Sequence, residues 1–447
     1  MTSHDALTIE SFGRKLRAGD ISSAGATDAC LRRIEADNPR VNAFILVMAD
    51  EARRQAREAD RELAAGHDRG PLHGVPISLK DLIDVRGTPT TAASRVRDGH
   101  VAAHDAPVVT HLREAGAVIV GKTNLHEFAF GTTSEESAFG AVKNPRDTGR
   151  SAGGSSGGSA ASLVAGMALG SVGTDTGGSI RIPAAACGTV GLKPAYGEVP
   201  ADGVVPLSRT LDHVGPLAQT VTDAWLLYHG LMGRPAGRPI APRPAAGLRV
   251  AVLRNYFCDL LDDEVRARFE EALARLRAAG VRVDEAEIHH ARDVAAVYFH
   301  ISFGDAAAYH AKTIETMPER YTPPVRMRIE AARHVLAEDY VRALNGRELL
   351  RREVDAAMAG YDALVLPTLA IPAPPLGAAT VPVGRTEEPV RNMMLRLTQL
   401  FNLTGHPAIS VPCGATRGGL PCAMQLVGPR LDTEALVRTA LACEPHV

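Results

Sequence analysis

Residues 151–183 read SAGGSSGGSAASLVAGMALGSVGTDTGGSIRIP. Two bursts, GGSSGGS at 153–159 and TDTGGS at 174–179, set small hydroxyls beside glycines. Glycine admits positive φ and lets a backbone approach a ligand closely. Clustered backbone N–H groups can hold an anion or a developing oxyanion. Composition alone permits two readings, a flexible linker or an active-site cradle. A largely apolar run at 160–169 separates the bursts and another follows at 180–187. That interleaving with core-forming segments favours the cradle over a linker.

The flanking sequence predicts the surrounding elements. VPISL at 75–79 reads as a buried strand ended by Lys80. Residues 108–115 form a helix started by Pro107, and AVIV at 117–120 a strand. A helix is expected at 160–167, a short strand at 168–174, and a further helix from near Ser179. Strand, helix and strand follow at 248–253, 264–279 and 281–283. This βαβ rhythm predicts a largely parallel sheet with helices on both faces. Residues 8–65 and 291–360 read as mainly helical, with Ser22 or Ser23 as an N-cap near the start. Late strands are expected at 363–366, 408–411 and 422–427, and a closing helix at 431–442. The segment 234–244 (RPAGRPIAPRP) is linker-like, and the proline-rich stretch 367–383 an ordered loop.

Bulk properties narrow the function classes. The chain has 447 residues, 45% of them hydrophobic, enough for a large core. A formal net charge of −2 points to neither nucleic acid nor an anionic membrane. Aromatics at 4% argue against base-stacking platforms. The six cysteines include no CxxC pair, and Cys443 with His446 is a weak metal signal. No cofactor or metal is expected. With no secretory leader and no long apolar run, the expectation is a cytoplasmic protein acting on a small molecule, without nucleic acid or membrane partners, as a monomer or homodimer.

A hydroxyl nucleophile needs a base and an oxyanion site. Ser179 follows Gly177 and Gly178 directly, so its N–H and those of Thr176, Gly177 and Gly178 can converge on one spot; an ordinary N-cap serine is the alternative. Ser155 and Ser156 each also match G-x-S-x-G, but that elbow requires a strand just before it, and 146–152 (RDTGRSA) does not read as one. Lys80 either turns its head to solvent or is buried, and burial favours the neutral amine, a competent base. His126 and His213 fit no ligand spacing and read as structural.

GVPISLKD (74–81), AGGSSGGSAA (152–161) and GTDTGGSIRIPAAACGTVGLKP (173–194) together resemble the amidase signature family. GKTNLHEFAFG (121–131), PLSRTLDHVGPLAQTV (206–221) and FNLTGHPAISVPCG (401–414) agree with it. The resemblance implies one α/β domain over 1–447, a mixed, twisted central sheet flanked by helices. Within it lie a helical part at about 1–68, a catalytic core at about 70–225, a variable region at 235–390 and a C-terminal sheet and helix at 400–447. It implies a catalytic triad of Ser179 as nucleophile, Ser155 as bridging serine on a cis peptide bond and Lys80 as general base. Ser156 supports the triad, and the oxyanion hole is the backbone of Thr176, Gly177, Gly178 and Ser179. The chain departs from the family where Arg146, Ala152 and Ala423 stand, none of them in the triad.

The activity so implied is hydrolysis of C–N bonds other than peptide bonds, in amides and within reach also aryl amides and carbamates (urethanes). The alternatives are the glutaminase subunit of a tRNA-dependent amidotransferase and a non-catalytic anion-binding module. VVPLSRTLDHVGP resembles free-standing members more than the glutaminase component. The loop FAFGTT (128–133) borders the acyl pocket in relatives, which makes Phe128, Phe130, Gly131 and Thr132 substrate-binding candidates. Arg209 either holds a substrate carboxylate or carbonyl, or pairs with Asp212.

Overall fold

The computed structural model describes residues 7–234, 240–241 and 243–447. Most of the linker-like segment 234–244 therefore lies outside the described residues. Among the described residues, fifteen strands are numbered in chain order. They are β1 (Phe44–Val47), β2 (Pro76–Lys80), β3 (Val118–Thr123), β4 (Lys143–Asn144), β5 (Asp147–Ser151), β6 (Gly170–Asp175), β7 (Val190–Lys193) and β8 (His213–Ala218), followed by β9 (Arg249–Leu253), β10 (Arg282–Ala286), β11 (Ala363–Pro367), β12 (Thr380–Val383), β13 (Thr386–Pro389), β14 (Ala408–Ala415) and β15 (Pro421–Val427).

Among the described residues, eleven of these form one sheet in the order β1-β3-β2-β6-β8-β7-β14-β15-β11-β9-β10. Its two ends contain the βαβ units legible in the sequence. Strand β2 runs parallel to β3 and to β6, and β9 parallel to β10 and β11. The helices Pro107–Glu114 and Asp263–Ala278 make two of the crossovers. The middle differs. Strands β6, β8, β7, β14, β15 and β11 pair antiparallel in succession. The sheet is therefore mixed, and the expectation of a largely parallel one is corrected. The reason lies in the connections, since β14 and β15 form a hairpin while β7 reaches β8 by a loop rather than a crossover helix.

Both faces of the sheet are covered. Every residue of β2, β3, β6, β7, β8 and β11 is buried, as strands covered on both faces by helical layers require. Among the N-terminal helices, Ser23–Val41 is capped by Ser22, whose hydroxyl accepts from the Gly25 N–H. The helices Val294–Thr316, Pro323–Ala332 and Ala337–Met358 form the expected helical region.

Two local expectations are also corrected. Residues 147–151 do form a strand, β5, but it pairs with β4 in a separate two-stranded sheet and not with the central one. Ser155 therefore does not leave the central sheet on a nucleophile elbow. The helix expected from Ser179 spans Arg181–Cys187, so Ser179 stands in the turn before it and is not its N-cap.

The topology positions the site. Lys80 ends β2 and Thr174–Asp175 end its parallel neighbour β6, so both lie at the carboxyl edge of adjacent strands, where α/β sheets bind ligands. The C-terminal strands β14 and β15 sit mid-sheet between β7 and β11. Deleting residues 406–447 is thus expected to abolish the cooperative thermal transition seen by circular dichroism; a truncated chain that melts cooperatively contradicts this reading.

Candidate active site

Lys80 is fully buried at the end of a strand with no polar surface. Its Nζ donates to Ser155 Oγ at 2.8 Å and to Thr174 Oγ1 at 2.7 Å, and it makes no ion pair among the described residues. Burial pulls the ammonium down to about 7, against the pull of the Asp175 and Asp212 charges, which favour the proton.

Ser155 is likewise buried, and the Gly154–Ser155 peptide bond is cis. Its carbonyl accepts from the His126 N–H at 3.1 Å and from Ser134 Oγ at 3.1 Å. Ser156 ties the bursts together. Its N–H donates to the Ser179 carbonyl at 3.2 Å, and its hydroxyl donates to the Thr174 carbonyl at 3.2 Å. It thus positions the strand end that carries the Lys80 partner, Thr174.

The second burst is a turn clamped at its base by Asp175. This carboxylate accepts from the N–H of Ile180 at 3.1 Å and from Arg181 Nε at 3.0 Å and Nη2 at 2.9 Å. Both charged side chains are fully buried. Burial alone would raise the Asp175 carboxyl, but Arg181 and Asn402 Nδ2 hold it well below the usual carboxylate range. Arg181 is saturated in turn by the Thr398 carbonyl, Gln425 Oε1 and Asn402 Oδ1. Within the clamped turn, the N–H groups of Thr176, Gly177, Gly178 and Ser179 have no acceptor among the described residues. The glycines are required for space. A Cβ on Gly177 would strike the Tyr298 hydroxyl, and one on Gly178 would strike Thr398 Oγ1. Gly178 also has φ +139°, and Thr398 Oγ1 donates to the Gly177 carbonyl. Free N–H donors in a rigid turn beside a serine are what an oxyanion needs.

A cavity of about 170 Å³ opens beside Thr174 and Thr176, bounded by Ala129, Arg209 and Asp212. Asp212 accepts from Thr176 Oγ1 at 2.6 Å and from the N–H groups of Leu207 and Ser208. Burial raises it to about 6 against those bonds. Arg209 is exposed at the cavity rim, and its side chain makes no hydrogen bond or ion pair among the described residues, so the expected alternative of an Arg209–Asp212 pair is not what the structure holds.

The loop expected to wall the acyl pocket is turned the other way. The Phe128 ring packs on His310 and Tyr321 and the Phe130 ring on Phe303, both inside an apolar cluster. Phe128 has φ 50° and Ala129 φ 58°, and this kink sends the rings into the core and leaves Ala129 at the cavity. Gly131 has no room for a side chain because the His126 ring lies against it, and Thr132 borders a separate cavity. At the departure from the family pattern, Arg146 Nε donates to the Cys187 carbonyl at 3.4 Å.

Sequence reading missed Thr174, Asp175, Arg181, Tyr298, Thr398 and Asn402. Only Arg181 left a signal, a lone charge in the apolar run IRIPAAAC.

A buried lysine on a serine hydroxyl, a second serine on a clamped glycine turn, and N–H donors without an acceptor among the described residues thus lie together beside the carboxyl ends of β2 and β6. The family model described as Amidase matches residues 25–437, and the chain belongs to this amidase signature family. It is 39% identical over 459 residues to an amidase of Pseudomonas putida, covering 99% of this chain and 97% of that one. A solved structure described as an amidase superposes with TM-score 0.93 at 36% identity, covering 99% and 100% of the two chains. A solved component of the glutamyl-tRNA(Gln) amidotransferase of Thermotoga maritima superposes with TM-score 0.77 at 32% identity, covering 98% and 94%.

Removing Arg181 would leave the Asp175 charge buried without its partner. Arg181→Met is expected to cost about 3–5 kcal/mol in urea unfolding, and adding Asp175→Asn to recover part of it; an unchanged midpoint for Arg181→Met would remove the clamp from the account.

Proposed function

We propose that the chain is a free-standing amidohydrolase that cleaves C–N bonds of small amides other than peptide bonds, with aryl amides and carbamates within its chemistry. The observation that carries this reading is the contact of buried, charge-depleted Lys80 with Ser155 Oγ at 2.8 Å. Neutral Lys80 accepts the Ser155 hydroxyl proton as Ser155 takes the proton of Ser179. Ser179 Oγ attacks the carbonyl carbon, and the oxyanion accepts from the N–H groups of Thr176, Gly177, Gly178 and Ser179. The relay then runs backward, the leaving nitrogen takes the proton, and the C–N bond breaks to leave an acyl-Ser179 ester. Water repeats the sequence, giving up its proton through the same serines and releasing the acid. A closer backbone match to the amidase than to the amidotransferase component supports a free-standing enzyme over a glutaminase subunit.

The test is a panel of p-nitroanilides, primary amides and aryl carbamates assayed on the chain expressed alone. Ser179→Ala is expected to lower turnover by at least about 10³-fold, and Lys80→Met by about 10²–10⁴-fold. Turnover only in the presence of partner proteins would favour the glutaminase reading, and turnover unaffected by Ser179→Ala would favour the anion-binding module.

The pH dependence follows from Lys80. Its base form grows as pH rises through about 7, so kcat/KM is expected to fall roughly tenfold per pH unit in the acid limb and to level off above neutrality. A profile flat well below pH 6 would rule out this lysine as the base.

A further inference from the structure

Two arginines beside the catalytic loops lack the anion their setting calls for. Arg391 follows the β12–β13 hairpin at the start of the short helix Val390–Leu395. Its guanidinium lies deep in the protein yet keeps part of its surface open, because it borders two cavities. The first, about 250 Å³, is lined by Tyr298 and Phe303. The Tyr298 hydroxyl fills the space a Cβ on Gly177 would need, so this cavity adjoins the oxyanion turn. The second, about 290 Å³, is lined by His126, Thr132, Thr133 and Arg328. Backbone atoms of Thr132 and Thr133 lie 2.8 Å from where a Cβ on Gly154 would sit, so this cavity adjoins the turn that carries Ser155.

Among the described residues, the Arg391 guanidinium makes no hydrogen bond and no ion pair. Its described contact is the Phe303 ring, with the centroid 6.0 Å away. Arg328 donates to the Phe130 carbonyl at 2.9 Å and contacts His126 Nε2 at 3.2 Å, again with no ion pair. Among the described residues, no carboxylate around these cavities lies within ion-pair distance of either guanidinium, and the Glu136 charge favours that of Arg328 only from farther away. Glu136 contacts His126 Nε2 at 3.1 Å and Glu135 accepts from the Gly377 N–H at 2.7 Å, while Glu388 borders the first cavity beyond ion-pair distance of Arg391. Burial depresses both arginines, Arg391 to about 10, which leaves it charged at neutral pH. Neighbouring like charges destabilise one another, and a buried charge is costly without a paired anion. A guanidinium with its donors free is built for a planar carboxylate.

We propose that Arg391, backed by Arg328, binds a carboxylate of the substrate, so that the preferred substrates are small amides carrying a carboxylate. This inference rests on the amidohydrolase reading above. The carboxylate belongs either to the acyl part, as in half-amides of dicarboxylic acids, or to the amine part, as in N-acyl amino acids, and the test separates the two.

The measurement is kcat/KM for malonamate, succinamate and glutaramate, and for N-acetylglycine, each against a neutral isostere in which a methyl ketone replaces the carboxylate. At least one carboxylate substrate is expected to exceed its ketone tenfold or more, and the arm that does so assigns the side. Arg391→Gln is expected to cut that ratio at least tenfold, mainly through KM. Arg391→Lys should recover part of it, and Arg328→Gln should give a smaller loss. Equal use of carboxylate and ketone by the wild type would overturn the proposal, as would an Arg391→Gln loss equal for both. If Arg391→Gln does not fold, the wild-type ratio and Arg391→Lys decide. If no substrate of any panel is turned over, the amidohydrolase reading fails instead. Calorimetric titration with succinate then decides the carboxylate site: binding by wild type that Arg391→Lys weakens supports it, and no binding by wild type overturns it.

Discussion

The site depends on one buried ion pair, Asp175 with Arg181. It closes the turn 176–179 at its base by joining the end of β6 to the helix that follows. Its outer partners, Asn402 and Gln425, come from the C-terminal part of the chain, so the turn holds its shape only when that distant part of the sequence is in place. Two charges buried together are costly unless every donor and acceptor is satisfied. Arg181 meets that condition through a carboxylate, two side-chain oxygens and a backbone carbonyl. The result is a turn held in place by the protein, whose N–H groups have no acceptor among the described residues.

The same pair acts on Lys80. The Asp175 charge favours the protonated amine, and burial opposes it. Had Asp175 been unpaired, its field would have been stronger at the lysine. Arg181 therefore shapes the turn and offsets the charge of the carboxylate that faces Lys80. Asp212, whose other partners are hydroxyl and amide donors, contributes a second, weaker attraction.

How much of this was legible in the sequence follows from the range of each interaction. Lys80, Ser155 and Ser179 stand in short motifs whose local spacing carries their chemistry, and the resemblance assembled them. The βαβ ends of the sheet were legible because hydrophobic period and helix signals alternate there. The antiparallel middle was not. Strand β8 reads HVGPLA, with Pro216 opposite Val172 in a central position where proline is rare. The Asp175–Arg181–Asn402 network spans more than two hundred residues of sequence, and no local pattern announces it. Phe128 and Phe130 were misread for a different reason. An aromatic pair in a loop has the same composition whether it faces a pocket or a core, and the left-handed turn at Phe128 and Ala129 decides which.

Burial alone does not make a base. Lys80, Lys122 and Lys193 are all fully buried. Burial lowers the basicity of each. Lys122 forms an ion pair with Asp81 at 2.7 Å and donates to the Pro89 carbonyl and Thr90, so its charge is neutralised where it sits. Lys193 donates to the Pro194 carbonyl, an acceptor with no proton to yield. Lys80 alone among the three meets only hydroxyls, Ser155 and Thr174. A hydroxyl can accept from the amine or donate to it, and so the contact can carry a proton in either direction. That reversibility, set by which atoms surround the amine rather than by how deeply it lies, separates the lysine proposed as the base from the two others in the same core.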